Sequence, residues 1–276
     1  MSISASDVKK LRDQTGAGMM DCKKALSEAN GDMGAAIELL RKKGQKVSEK
    51  RADREANQGV IVTLVSDDKK KAVAVELNCE TDFVAKNEEF VGYANDFAKA
   101  IFDQEPADRD ALLASSIKDL TIADMLKDLV GKIGEKIDIG RYEIMESDGQ
   151  IQDYIHPGNQ LCVLAEFDGT LESPEVGKDV AMQIAAMNPI AVTRDEVDAE
   201  LLEKEKDIAK AQLLSEGKPE EIAEKAAAGK MRRFFEERVL LEQKFVKDGS
   251  LSVQEYLKQS DAPLVKSFAR IQLGEQ

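Results

Sequence analysis

The spacing of apolar positions changes several times along the chain, and each change marks an element. Val8 and Leu11, then Cys22, Ala25, Leu26 and Ala29, then Met33, Ala36, Ile37 and Leu40 recur at helical intervals, which predicts three short helices over residues 6–44. Ser6 is placed to cap the first, Thr15-Gly-Ala-Gly18 to break it, Asn30-Gly31 to separate the second from the third, and Gly44 to end the third. Residues 45–57 (QKVSEKRADREAN) carry almost no large apolar group and read as a charged linker with some helical character.

From Val60 the reading changes to strand. Val60 to Val65, a polar turn at Ser66–Lys70 and Ala72 to Leu77 predict a hairpin. Helical spacing returns with Phe90, Ala94, Phe97, Ala98 and Ile101, and again over residues 121–134 with Ile122, Met125, Leu126, Leu129, Val130 and Ile133 on one face. An extended segment starts near Ile137. A second β-rich stretch, Tyr142 to Phe167, has turns at Ser147-Asp-Gly149 and His156-Pro-Gly158 and is followed by a helix over Gly177 to Met187. Aligning Glu76-Leu77 with Glu166-Phe167 repeats the order of strand then helix and suggests two related halves. The second half has Leu171-Glu172-Ser173 where the first has Thr81-Asp82-Phe83.

Beyond residue 190 the pattern thins. Thr193-x-x-Glu196 reads as a capping box opening a charged helix with Val197, Leu201, Ile208 and Ala211 as its apolar positions. Gly217-Lys-Pro219 stops it and a second helix runs from Pro219 to Ala228, so the pair reads as an inserted hairpin whose narrow apolar stripe seeks a partner. Leu264 to Leu273 (LVKSFARIQL) reads as a returning strand. The expected class is α+β: a helical N-terminal part (1–55), a two-part core with antiparallel sheets (56–140, then 141–189 with 229–276) and a helical hairpin (190–228).

Charge and chemistry narrow the function. With 53 acidic against 39 basic residues the net charge is −14, which repels a phosphate backbone and disfavours direct nucleic-acid binding. Cys22, Cys79 and Cys162 are odd in number and widely spaced, as expected of thiols in a reducing compartment such as the cytoplasm, and no apolar run approaches a membrane span or signal segment. A single histidine, His156, argues against a His-based triad or zinc site, and the glycines at 16, 18, 131 and 134 fit no phosphate-loop pattern. No cofactor, metal or catalytic residue is expected.

Two places stand out. Met19-Met20 opens the second helix, where two adjacent methionines cannot both enter one core; one outward Met is either tolerated or an adaptable contact. At Thr81-Asp82-Phe83-Val84 the chain turns from strand to helix. Thr81 or Asp82 can cap that helix, and Phe83, seven residues before Phe90, extends its core stripe by spacing alone. The matching turn in the second half does without a Phe.

Leu11-Arg12-x-x-Thr15-Gly-Ala-Gly-Met-Met-Asp-Cys-Lys-Lys-Ala-Leu26 and Glu76-Leu-Asn-Cys-Glu-Thr-Asp-Phe-Val-Ala-Lys86 resemble the two hallmark segments of the bacterial translation elongation factor Ts family. Gly131-Lys-Ile-Gly-Glu-Lys136, Tyr154-Ile-His156, Met187-Asn-Pro189, Gly217-Lys-Pro219 and Gly229-Lys-Met231 follow in the same order, so the resemblance covers nearly the whole chain. It implies a ubiquitin-associated-like three-helix N-terminal domain, a two-part α+β core and a protruding hairpin, in a guanine-nucleotide exchange factor for elongation factor Tu. By the same resemblance Thr81, Asp82, Phe83 and Val84 disturb the partner's Mg²⁺ site. Met19, Met20 and Lys23 touch its nucleotide domain, His156 and Val246 approach a distal domain, and the hairpin at 190–228 forms a homodimer in some members. The rival readings are a helical adaptor binding ubiquitin-like or other proteins through residues 1–55, and an enzyme using Cys79 or Cys162.

Overall fold

A computed structural model describes residues 3–275, apart from the side chain of Ala223. The architecture is α+β. The chain divides into two compact units, one of Met1–Leu64, Val73–Ile144 and Ile271–Gln276, the other of Val65–Ala72 and Met145–Arg270.

In the first unit, helices α1 (Ala5–Thr15), α2 (Met19–Glu28) and α3 (Met33–Arg51) enclose a small core of Val8, Leu11, Cys22, Ala25, Leu26 and Ala36. The first cap is Ser4 rather than Ser6: its hydroxyl accepts from Asp7 N at 3.1 Å and the Asp7 carboxylate returns the bond to Ser4 N, a reciprocal box that places the helix start two residues earlier. Gly16, at φ 66°, ends α1 in the left-handed conformation. Gly44 does not end α3, which continues to Arg51 through most of the stretch expected as linker. Its role is close approach. A Cβ at Gly44 would meet Gly131 Cα at 3.3 Å, and one at Gly131 would sit only 2.6 Å from Gly44 Cα, so α3 crosses a later helix backbone to backbone.

Strands β1 (Gln58–Val65) and β2 (Lys71–Cys79) form the expected hairpin. A four-residue helix α4 (Asp82–Ala85), then α5 (Glu88–Gln104), α6 (Arg109–Ala114), a small antiparallel pair β3 (Ser116–Ile117) and β4 (Leu120–Thr121), and α7 (Ile122–Ile133) follow, of which α6 and the pair had no clear sequence signal. Strand β5 (Asp138–Glu146) completes a sheet of order β1-β2-β5. Tyr142 therefore lies in the first sheet, not at the start of a second β unit. The apolar faces of α5 and α7, with Phe90, Phe97, Ile101, Ile122 and Leu129, close over Val73, Val75 and Leu77.

The second unit is built on β6 (Gln150–Ile155) and β7 (Leu161–Phe167), antiparallel from Gln150↔Phe167 to Ile155↔Cys162, with helix α8 (Pro174–Met187) after them. Thr193 and Glu196 do not cap the next helix. Glu196 instead accepts from Val192 N and the Thr193 hydroxyl around a 3₁₀ turn, and α9 (Ala199–Ser215) starts at Asp198, whose carboxylate receives Leu201 N. Val197 is buried and Leu201 packs with it, as expected of the apolar stripe, but from residue 208 on other positions carry it. Ala209 and Leu213 face inward, while Ile208 is exposed. Its antiparallel neighbour α10 runs well past Ala228, over Glu220–Arg238. Strands β8 (Lys244–Phe245) and β9 (Asp248–Ser252), helix α11 (Val253–Gln259) and β10 (Val265–Gln272) complete the unit, with sheet order β10-β7-β6.

Candidate functional site

The corner after β2 is a short helix set between two anchors. Thr81, extended at φ −127° and ψ 152°, stands at the N-cap position of α4 without making the side-chain cap expected of it. Its hydroxyl donates instead to Glu135 Oε1 at 2.7 Å, while Glu80 N and Thr81 N both donate to Glu135 Oε2 at 3.1 and 3.0 Å. Glu80 in turn accepts from Lys136 N at 2.6 Å and pairs with Arg51 of α3 at 2.6 Å. The Lys136 amide first, then the Arg51 guanidinium, hold the Glu80 carboxyl below the usual carboxylate range. None of Glu80, Glu135 and Arg51 stood out for this role in the sequence. They are joined only in space, Glu80 and Glu135 being 55 positions apart.

Four residues cannot complete much more than one turn, and successive side chains leave a helix about 100° apart. With Val84 and Ala85 packed on the core, the two before them point away from it. Asp82 pairs with Lys86 at 2.7 Å, a hydrogen bond that holds its carboxyl below the ordinary value. Phe83 is 83% exposed, the most exposed large apolar side chain among the described residues. The core position inferred from its spacing to Phe90 fails because the two do not share a helix. Lys86 ends α4, and Asn87 starts α5 afresh by accepting Glu89 N at 2.8 Å.

An exposed aromatic on an anchored turn is unusual, since an unpartnered Phe gains little in water. Met19 and Met20, at the start of α2, are 55% and 75% exposed, so both face outward rather than one; Lys23 beside them is also exposed. The corner, Met19, Met20 and Lys23 belong to the same unit. His156 and Val246 belong to the other. His156 is exposed in its turn and its Nδ1 lies 3.0 Å from the Tyr154 hydroxyl. Val246 is held out by its neighbours: Phe245 is buried and stacks on Tyr256 with ring centroids 4.0 Å apart, and Val246 N donates to the buried Gln183 at 2.8 Å.

The thiols offer little as nucleophiles. Burial first, then the Glu135 carboxylate, push the Cys79 thiol up to about 12, which leaves it protonated at neutral pH. Cys22 and Cys162 are buried as well. Among the described residues no group of three or more His, Cys, Asp or Glu side chains is arranged to hold a metal ion, and no helix is long and apolar enough to cross a membrane.

The family model described as "Elongation factor TS" matches residues 80–275. The chain belongs to the elongation factor Ts family. It is 47% identical to the elongation factor Ts of Chlorobaculum parvum over 284 aligned positions that span 99% of both chains. It is 46% identical to that of Christiangramia forsetii, again over 99% of each, and 46% identical to that of Clostridium perfringens over 99% of this chain and 93% of the relative. As a member of the elongation factor Ts family the chain is a translation elongation factor, at work in protein biosynthesis.

Proposed function

We propose that this chain is the guanine-nucleotide exchange factor of elongation factor Tu and that Thr81–Val84 is the element that loosens GDP. The observation that carries the reading is Phe83: a large aromatic held almost fully in solvent on a turn tied down by Glu80 and Glu135. Moving it from water into a cleft of the partner contributes about 1.5–3 kcal/mol, available to stabilise whichever conformation of the partner opens that cleft. Asp82 beside it disturbs the water and hydroxyl shell of the partner's Mg²⁺, and loss of that cation removes charge compensation from the nucleotide phosphates.

Exchange of this kind is a coupling between two ligands of one protein. If the factor and GDP each weaken the other's hold on the partner, they do so by the same factor, and the final ratio of bound GDP to GTP is left to the nucleotides. No nucleophile, base or cofactor is required, so the chain acts without being an enzyme. Met19, Met20 and Lys23, on a ubiquitin-associated-like module within residues 1–55, contact the partner's nucleotide domain; His156 and Val246 contact a distal domain. The hairpin, whose Ile208, Leu214 and Ile222 are exposed, is a homodimer surface.

The test is release of a labelled GDP from elongation factor Tu after addition of a large excess of unlabelled nucleotide. The wild-type chain is expected to accelerate release, and Phe83→Ala combined with Asp82→Asn to lower that acceleration by at least about tenfold, the loss of one buried aromatic contact. No acceleration by the wild-type chain rejects the reading.

A further inference from the structure

The turn that displays Phe83 is fixed by a residue outside it. Glu135 receives three donors from two consecutive residues, Glu80 N and Thr81 N on one oxygen and the Thr81 hydroxyl on the other. The tie is reciprocal, because Glu80 accepts Lys136 N, so two segments distant in sequence each take the other's backbone N–H on a carboxylate. Glu135 is itself brought into place by Gly134, which ends α7 at φ 83° and turns the chain back, and by Lys136 Nζ, which donates to Ala52 O and Arg54 O. Below the corner, Val84 and Ala85 are seated on the core, and above it Phe83 is in solvent. The direction in which Phe83 leaves the protein is therefore set by where Thr81 begins the turn. Glu135 holds that start by three hydrogen bonds, and the Cys79 thiol donates one more to Thr81 O at 3.1 Å.

We propose that Glu135 is the positioning residue of the exchange reaction: it holds Glu80 and Thr81 so that α4 starts in the one orientation that delivers Phe83 to the partner. This rests on the reading of Thr81–Val84 as the partner-binding corner. A tethered turn presents its wedge in the competent direction all the time, whereas an untethered one divides its time among several, and apparent activity falls in proportion to the competent fraction. The Thr81 hydroxyl, which a simple cap would have turned onto the helix, is spent on this tether instead.

A double-mutant cycle on stimulated GDP release tests it, with the wild-type chain, Glu135→Ala, Phe83→Ala and the double variant assayed at limiting concentration. Glu135→Ala is expected to reduce the stimulated rate about tenfold in the wild-type background, and less than about twofold when Phe83 is already Ala, since a positioning residue has nothing left to position. Glu135→Gln, which keeps an acceptor oxygen, is expected to retain more activity than Glu135→Ala. Equal losses in both backgrounds overturn the proposal, because a residue needed only for folding acts regardless of Phe83.

A second measurement needs no partner. The sequence contains no Trp, so Phe83→Trp supplies a lone tryptophan at the corner that can be excited apart from the tyrosines, and adding Glu135→Ala, or Glu135→Gln if the Ala variant does not fold, should lower its anisotropy while the rest of the chain melts as a folded protein. An unchanged anisotropy overturns the tether by itself. If the wild-type chain fails to speed GDP release, the proposed function falls and the anisotropy still decides whether Glu135 orders the turn.

Discussion

The two corners that follow β2 and β7 are built on the same plan and put their apolar residue to opposite uses. Each comes after a strand with a buried glutamate, Glu76 in one and Glu166 in the other, and each is tied by a side chain accepting backbone N–H. Glu135 takes Glu80 and Thr81; Gln150 takes Leu171 N at 3.0 Å. After β7 the apolar residue turns inward. Leu171 is 6% exposed and packs beside Gly177 of α8, where an added Cβ would come within 2.6 Å of its Cδ1. After β2, a four-residue helix is inserted before α5; its Val84 and Ala85 pack on the core and its Phe83 points out. A corner of this kind can be closed with a buried Leu, so an exposed Phe at the other one is no requirement of the fold.

The sharpest way to break that contrast is to remove both side chains. Leu171→Ala should lower the unfolding free energy by about 2–5 kcal/mol, the usual range for emptying a buried leucine site. A urea titration measures it, and a loss below about 1 kcal/mol would mean that Leu171 does not fill the core as described.

A smaller effect, confined to acid pH, distinguishes the glutamate beneath the second corner. Burial raises the Glu166 carboxyl, but hydrogen bonds from Ser267, Lys266 and Ser147 outweigh it and leave the group below its ordinary value. A carboxyl lowered on folding contributes stability that is complete above the unfolded value of 4.5 and lost as pH falls through the folded one. Melting temperatures taken from neutral pH down to about 3 should fall less steeply for Glu166→Gln than for the wild type over that acid range. Parallel curves would show that Glu166 is not held ionised by those partners.

The smallest expected change is the most telling. Phe83→Ala should leave the unfolding free energy from a urea titration within about 0.5 kcal/mol of wild type, as surface substitutions generally do. A destabilisation comparable to that of Leu171→Ala would place Phe83 in the core after all and collapse the difference between the corners.

Much of this fold was legible because periodicity is local. The hairpin at residues 60–77 and the stripe of α7 from Ile122 to Ile133 could be read from neighbours alone, and so could the strand over LVKSFARIQL. What depended on distant contacts could not. Gly44 looks like a stop in sequence and is a crossing point in space, because the residue that requires it is Gly131. The seven-residue interval from Phe83 to Phe90 promised one helix, and Asn87 divides it into two. The hairpin stripe was legible at Val197 and Leu201 but not farther along, where Ala209 and Leu213 turn in against Ala227 and leave Ile208 and Ala211 exposed, because the facing helix decides which residues are covered. At the corner, the sequence singled out Thr81–Val84 as a segment. The carboxylate that holds it lay in a segment, Gly131–Lys136, that the resemblance marked, but its role was not legible, since Glu135 sits in no periodic pattern and its partners lie more than 50 positions away.

The contact between Gly44 and Gly131 also bears on reach. Because α3 does not stop at Gly44, its first half closes the small helical core through Ala36 while its second half lays Val47 on the core of the first sheet and joins Arg51 to Glu80. One continuous rod thus ties the methionine pair of α2 to the corner bearing Phe83, with no slack segment between them. Under the proposed function, the methionine pair and Phe83 on such a frame act as a bidentate ligand. Once the first is seated, the second meets its target at an effective concentration set by a fixed span, not by the wandering of a tether, and a partner whose two receiving surfaces have drifted apart gains from only one of them.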